Sequence, residues 1–132
     1  MDELPDWPEG SVTVLSTGGG DPHAIPVSTA FRSGPRSVTL GLAPRRESLA
    51  RLRRDPACAL TVLAGGDLAF TALGRAVVVD EGERIAAVRI DVERIQDHGT
   101  DRFVIEDGVR WRWTEPDAER ADAAVRAALH AL

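Results

Sequence analysis

The stretch Ser37–Leu63, SVTLGLAPRRESLARLRRDPACALTVL, contains the alternation of elements that decides the fold. Its β-branched start, Val38–Leu42, predicts a strand, and Glu47–Arg54 predicts a short helix with two leucines three residues apart. Asp55-Pro56 ends that helix, because the residue before a proline is disfavoured in the α region. Ala57–Leu63 is almost wholly apolar, which is typical of a strand covered on both faces.

The start of this helix is rich in groups that attract anions, namely Arg45, Arg46, Ser48 and Arg51. Free backbone N–H groups at a helix N-terminus favour negative charge, and guanidinium groups add fork-shaped donors. In a chain with a formal net charge of −5, this concentration of cations predicts a site for a phosphorylated ligand. The alternative is that these side chains form an ordinary solvated helix face.

Short strands separated by turn signals fill most of the remaining chain. The predicted strands are Ser11–Thr17, His23–Phe31, Leu68–Val79, Ala87–Ile95, Arg102–Ile105 and Val109–Trp113, the last two forming a hairpin. Pro26 indicates an edge strand or a bulge, and Gly74 indicates a bend or bulge within its strand. Residues 1–10 are expected to be an irregular arm, and residues 115–132 a C-terminal helix with an early proline.

These elements predict a mainly β protein with α additions, built as a small antiparallel barrel with one short internal helix and one C-terminal helix. A strict βαβ alternation is absent, which argues against a doubly wound parallel sheet. The length of 132 residues fits a single domain over residues 1–132.

Composition excludes several classes of function. An acidic chain lacks the basic face that nucleic-acid binding requires. No apolar run approaches the roughly 20 residues that span a bilayer, and no signal-peptide pattern is present, so we expect a cytoplasmic protein without a membrane partner. Cys58 is the only cysteine and lies in an apolar run, which predicts an inert buried thiol. His23, His98 and His130 lack the spacing of metal ligands, so no metal site is expected.

Three motifs carry a resemblance to a known family. In order, they are Pro22–Ser28 (PHAIPVS), Ser48–Pro56 (SLARLRRDP) and Gly74–Ala76 (GRA). Together they resemble the pyridoxamine 5′-phosphate oxidase-like superfamily, the flavin-binding split barrels, from about Ser11 to Val79, with a weaker match onward to Trp113. The resemblance implies that the barrel is a split antiparallel β-barrel.

The same resemblance implies a cofactor and a partner. Members of that superfamily are typically homodimers with FMN, the deazaflavin coenzyme F-420 or, in a few cases, haem at the subunit interface. By resemblance, Ala43–Arg51 would hold the cofactor phosphate, and Val27–Phe31, with Ser28 and Thr29, would lie beside the ring. The family often has a lysine near the position of Ser48 and an asparagine near that of Arg51, so the charge here would come from the arginines.

Trp111 and Trp113 alternate with Arg110 and Arg112, so both indoles would point to one side of a strand. They are expected either to make a core or dimer contact or to form a stacking wall beside a planar cofactor.

The function implied by the resemblance is a flavin- or deazaflavin-dependent oxidoreductase that transfers a hydride to a small or planar organic substrate. No general acid or base stands out, so the catalytic residues are unassigned. One alternative is a non-catalytic binding or storage protein for haem or another planar ligand on the same barrel. Another is an interaction protein whose cofactor pocket has closed.

Overall fold

The computed structural model of the protein describes residues 1–132 and contains seven strands and two helices. The strands are β1 (Thr13–Thr17), β2 (His23–Val27), β3 (Phe31–Gly34), β4 (Ser37–Leu42), β5 (Ala57–Ala64), β6 (Leu68–Glu81) and β7 (Ala86–Asp97). The helices are α1 (Glu47–Arg54) and α2 (Pro116–His130). The mainly β class with α additions is confirmed, and α1 begins and ends at the predicted residues.

All seven strands form one antiparallel sheet in the order β2-β1-β5-β6-β7-β4-β3. The two pairings between distant segments, β1 with β5 and β4 with β7, bring the two outer hairpins onto the central strands. β2 and β3 are the two edges of the sheet, so Pro26 lies in an edge strand as predicted. β3 is only four residues long and its register shifts between Arg32 and Gly34.

The core lies on the inner face of the curved sheet. Leu15 pairs with Leu60 and Val62 pairs with Phe70, and all four side chains are fully buried. Burying a side chain of this size contributes roughly 1.5–3 kcal/mol, so these pairs hold the three strands together. Residues 1–10 are irregular as expected, yet they are anchored, because the Trp7 indole packs on Phe70 at 5.8 Å and donates to the Ala30 carbonyl at 2.9 Å.

Gly74 marks a bulge in the long strand β6, as predicted. The register between β6 and β7 shifts between Leu73 and Gly74. A Cβ at Gly74 would lie 2.9 Å from the carbonyl carbon of Asp91 and would overlap its oxygen. Only glycine lets the two strands approach this closely.

The predicted late hairpin is wrong, because residues 102–113 contain no strand. The segment instead runs along the turn between β5 and β6. The Ile105 N–H donates to the Asp67 carboxylate at 2.8 Å, and the Asp67 N–H donates to the Ile105 carbonyl at 3.2 Å. Since these groups bond to the turn, they are not available to pair within a hairpin.

The predicted strand over residues 23–31 is divided in the structure, with β3 as a separate strand from Phe31 to Gly34. The sequence analysis predicted no separate strand at Phe31–Gly34 and so missed β3. Side chains hold the intervening segment: Thr29 bonds to Gly41 of β4, and Ala30 accepts the Trp7 indole.

α2 begins with proline at its first turn, as predicted, although no side chain caps it. It contacts β4, and Leu129 is the one residue of the helix that is buried. Leu129 and Ile85 cover the Cα of Gly41, where a Cβ would lie 2.8 Å from Ile85. Neither helix combines the length and the hydrophobicity needed to cross a bilayer.

Candidate functional site

Arg51 joins α1 to the glycine-rich turn between β1 and β2. Its Nε donates to Glu47 at 2.8 Å, one Nη donates to the Asp21 carboxylate at 2.8 Å, and the other donates to the Gly18 carbonyl at 3.2 Å and to the Asp21 carbonyl. Arg51 is only 6% exposed. The position predicted to hold a phosphate therefore has its guanidinium bonded to the protein itself, and it is not part of a solvated helix face.

The charges in this cluster stabilise one another. The bond from Arg51 lowers the pKa of the Asp21 carboxyl below its ordinary value of 3.8, and the bonds to Asp21 and Glu47 raise the pKa of the guanidinium. His23 joins the same cluster through Nε2, which lies 3.2 Å from the Glu47 carboxylate. Glu47 also supplies negative charge to the first turn of α1.

The other basic residues at the start of α1 are free. Arg45 and Arg46 are exposed, and their side chains make no hydrogen bond or ion pair. Ser48 is fully buried, and its Oγ has no hydrogen-bond partner. The two unpaired guanidinium groups, beside the N-terminus of α1, are donors that suit a phosphate, whereas the Ser48 hydroxyl is enclosed by the protein and is not open to a ligand.

Thr29 links the segment after β2 to β4. Its Oγ1 accepts the Gly41 N–H at 3.0 Å and donates to the Gly41 carbonyl at 3.3 Å. The side chain thus takes the place of a strand partner where β3 has not yet begun. This contact fixes the predicted ring-side segment against the strand that leads into α1.

Thr29 and Trp113 share an apolar cavity of about 460 Å³ with Ile85 and the helix residues Val125 and Ala128. These two predicted site residues are therefore brought together, although 84 positions separate them in the sequence. α2 forms one wall of this cavity. None of Arg45, Arg46, Ser48 and Arg51 lines it.

Trp111 and Trp113 touch each other but do not lie on a strand. Their ring centroids are 5.3 Å apart in an edge-to-face arrangement, a favourable geometry for indoles. The Trp111 indole donates to the Gly10 carbonyl at 2.9 Å, which ties it to the N-terminal arm. The prediction that both point to one side of a strand is wrong, because the segment is not in the sheet.

Ser28 lines a smaller cavity, of about 210 Å³, with Thr29, Arg32, Arg126 and His130. Sequence interpretation did not identify the last three as site residues. The Nε atoms of Arg32 and Arg126 are buried without a hydrogen-bond partner. One local sequence feature could have drawn attention to Arg126: Asp122 lies four residues before it on α2, a spacing that favours an ion pair. The two side chains do pair, at 2.7 Å.

Cys58 is a buried thiol, as predicted, and burial raises its pKa to about 12. A thiol held protonated in this way is a poor nucleophile at neutral pH. No group of three or more His, Cys, Asp or Glu side chains is placed to hold a metal ion.

Solved structures of several proteins resemble this chain. One is a candidate pyridoxamine 5′-phosphate oxidase from Listeria innocua, with a TM-score of 0.57 and 15% identity over 68% of this chain and 90% of that chain. An FAD-binding protein from Mesorhizobium loti has a TM-score of 0.55 and 14% identity over 64% and 81%. A haem-binding protein from Mycobacterium smegmatis has a TM-score of 0.57 and 18% identity over 71% and 51%.

No family model and no curated protein matches the sequence. At identities this low the likeness is one of fold. The chain has the split-barrel fold of pyridoxamine 5′-phosphate oxidase-like proteins, as the three sequence motifs predicted. A fold does not by itself assign a function, and the structures that share this one include both flavin-binding and haem-binding proteins.

Proposed function

We propose that the protein is a flavin- or deazaflavin-dependent oxidoreductase that transfers a hydride to a small or planar organic substrate. The observation that carries the proposal is the proximity of two complementary surfaces. One is the apolar cavity at Thr29 and Trp113, and the other is the pair of unpaired cations at Arg45 and Arg46. A phosphorylated planar cofactor needs both kinds of surface at once.

Thr29 allows the distance between the two backbone segments that carry these surfaces to be bounded. It bonds directly to Gly41, and Gly41 precedes Arg45 by four residues. A chain advances at most about 3.6 Å per residue, so no more than about 14 Å separates the Cα atoms of Gly41 and Arg45. A phosphorylated ribityl chain is shorter than this bound, and an extended arginine side chain reaching from Arg45 towards the cavity would cover the remainder.

The arginines and the residues of the apolar cavity have separate roles in this proposal. Arg45 and Arg46 would bind the phosphate with charge-assisted hydrogen bonds, and Thr29 and Trp113 would orient the ring and exclude water. Arg51 positions α1 and does not face the phosphate, since its donors are bonded to Asp21, Glu47 and Gly18. When bound, the cofactor supplies the hydride chemistry, and the protein supplies anchoring, orientation and a dry pocket.

The test is a titration of the purified protein with FMN, riboflavin and coenzyme F-420, followed by ligand absorbance and fluorescence. We expect saturable binding of FMN or of F-420. The variant Arg45→Ala/Arg46→Ala should weaken the phosphorylated ligand by about tenfold or more and riboflavin by less than about twofold. Absence of binding of both cofactors at high micromolar concentration would overturn the proposal.

A matched control lies at the C-terminal end of α1. Arg53 and Arg54 are also exposed, and Arg53 pairs with Glu81, so Arg53→Ala/Arg54→Ala removes the same formal charge from the other end of α1. It should leave FMN affinity nearly unchanged. Equal losses in both double variants would mean that overall charge, and not a phosphate site, governs binding.

We also propose that the protein is a homodimer. Val14 of β1 and Leu63 of β5 point outward and are 39% and 50% exposed. They line an apolar groove of about 340 Å³ together with Val12, Ile105 and Val109, and a second copy would remove these surfaces from water. Sedimentation velocity of the wild-type protein should show a dimer. The double variant Val14→Asp/Leu63→Asp should be a monomer, and the control variant Leu132→Asp should remain a dimer. A monomeric wild-type protein would contradict this proposal.

Haem binding without turnover is the second candidate, and His130 favours it. His23 bonds to Glu47 and His98 bonds to Thr71, whereas neither ring nitrogen of His130 makes a hydrogen bond. His130 also lines two cavities. A Soret band on haem addition that disappears in His130→Ala, without any flavin binding, would replace the oxidoreductase proposal. The cytoplasmic location stays a prediction from the sequence.

A further inference from the structure

Arg32, on the edge strand β3, is a largely buried cation without a hydrogen-bond partner. Its side chain is 27% exposed, and its Nε is fully buried and makes no hydrogen bond. The nearest carboxylate, that of Glu3, lies 4.0 Å away and belongs to a side chain that is 69% exposed. A guanidinium group offers five N–H donors in a planar fork, and here the protein accepts none of them.

The cavity beside Arg32 is suited to a negatively charged ligand. It measures about 510 Å³ and lies between β3, the start of β4 and the end of α2. Its lining contains no aspartate or glutamate, although the chain as a whole is acidic. The second arginine of the lining, Arg89, is paired with Asp91 at 2.7 Å, so Arg32 is the cation left to bind a ligand.

Among the three hydroxyl groups of this cavity, one O–H group has no acceptor within the protein. Thr39 donates to Ser33 at 2.9 Å, and Ser33 and Ser37 share one hydrogen bond at 2.6 Å. Two bonds use two of the three O–H protons, so either Ser33 or Ser37 must retain a donor without an acceptor in the protein. This donor and the Arg32 guanidinium line the same cavity.

The remaining walls are apolar and aromatic. The Phe31 and His130 rings stack with centroids 3.7 Å apart and an interplanar angle of 22°. Val79 and Leu129 complete the wall. A ligand that satisfied Arg32 could therefore bury an apolar body on this surface and gain hydrophobic contact as well.

We infer that this cavity binds a small organic anion, whose carboxylate or phosphate group bonds to Arg32 and whose apolar body packs against Phe31 and His130. The site is separate from the proposed cofactor phosphate site. Ser37 and Leu42 are at opposite ends of β4, about 17 Å apart at 3.3–3.4 Å per residue. Binding here thus requires no flavin, and failure of one proposal does not imply failure of the other.

The experiment is calorimetric titration of the wild-type protein, without added cofactor, with benzoate, phenyl phosphate, inorganic phosphate and neutral benzamide. At least one of the two aromatic anions should bind saturably, and the tighter one identifies the preferred anionic group. Benzamide should bind at least tenfold more weakly than that anion, and inorganic phosphate at least tenfold more weakly than phenyl phosphate. Lack of saturable binding of both aromatic anions up to about 10 mM, or equal binding of benzamide, would overturn the inference.

Variants separate a binding role from a structural role. Arg32→Gln should weaken the anion at least tenfold, and Arg32→Lys, which keeps the charge but loses the fork, should weaken it less. Arg75→Gln, which removes an exposed arginine of β6 that does not line the cavity, is the matched control and should have no effect. Unchanged affinity in a folded Arg32→Gln variant would overturn the inference.

Glu3→Gln provides a variant that leaves Arg32 in place and so does not depend on the folding of Arg32→Gln. If Arg32 binds a ligand, removing the distant carboxylate should leave the unfolding midpoint unchanged and should leave anion affinity unchanged or increase it. If Arg32 instead serves to bind Glu3, the variant should lower the unfolding midpoint without any gain in anion affinity. That result would count against a binding role.

Discussion

Thr29→Val is the sharpest test of how the candidate cofactor site is built. Valine keeps the branched shape of threonine and removes the hydroxyl group that bonds to both backbone groups of Gly41. Gly41 is buried, so its N–H cannot turn to water instead. An unpaired buried donor costs about 1–3 kcal/mol, and losing the longer bond to the carbonyl costs less, so we expect a loss of about 2 kcal/mol in the free energy of unfolding.

This loss can be measured by thermal and urea unfolding followed by circular dichroism. For a domain of this length, 1 kcal/mol corresponds to roughly 3–5 °C, so the Tm should fall by roughly 6–10 °C. Thr29→Ser keeps the hydroxyl and should stay within about 1 kcal/mol of the wild type. Because Thr29 lies in the proposed ring-binding part of the site, the valine variant should weaken the binding of FMN and of riboflavin alike. A valine variant as stable as the wild type, or a serine variant as unstable as the valine one, would refute the reasoning.

The remaining predictions concern the sheet, the thiol and the charge cluster. Gly74→Ala should lower the free energy of unfolding by about 3 kcal/mol, measured by urea denaturation, since a Cβ there collides with the backbone of Asp91 and overpacking alone costs about 1–3 kcal/mol; a neutral substitution would contradict this. Cys58 should not react with a disulfide reagent at pH 9 in the native state and should react after unfolding, because burial raises its pKa to about 12, and native reactivity at pH 9 would argue against burial. The pKa of Asp21 is lowered in the folded state, so the contribution of Asp21 to stability is present above pH 3.8 and is lost as the pH falls below that value. The Asp21→Asn variant should therefore lose less free energy of unfolding than the wild type as the pH is lowered. An unchanged dependence on acid pH would exclude the Asp21–Arg51 pair as its cause.

Local sequence signals predicted the elements that depend on local chemistry. The Asp55-Pro56 break fixed the end of α1, the glycine at position 74 marked the bulge in β6, and Pro26 identified an edge strand. In each case the backbone preference of one residue type restricts the structure within a few positions. The split-barrel fold followed from the order of three motifs, not from any one of them.

The wrong predictions concern residues whose structure is decided by contacts with residues distant in the sequence. Glu106-Asp107-Gly108 is a good turn signal, but Asp67, about 40 residues earlier, bonds to Ile105 and draws the segment away from hairpin pairing. The sequence around Arg51 is typical of a residue that binds an anionic ligand, and only the fold reveals that the Asp21 carboxylate occupies its guanidinium. Neither partner could be read from a window of neighbouring residues.

The two edge strands restrict how the protein can associate. β2 contains Pro26, which has no N–H to offer to an added strand, and β3 is short with a shifted register. Long regular edges are the templates from which sheets extend into fibrils, and both edges of this sheet lack that regularity. Growth by edge-to-edge strand addition is therefore disfavoured at both ends. The proposed dimer uses the outer face of the sheet instead, where an assembly of two copies can close on itself and not propagate.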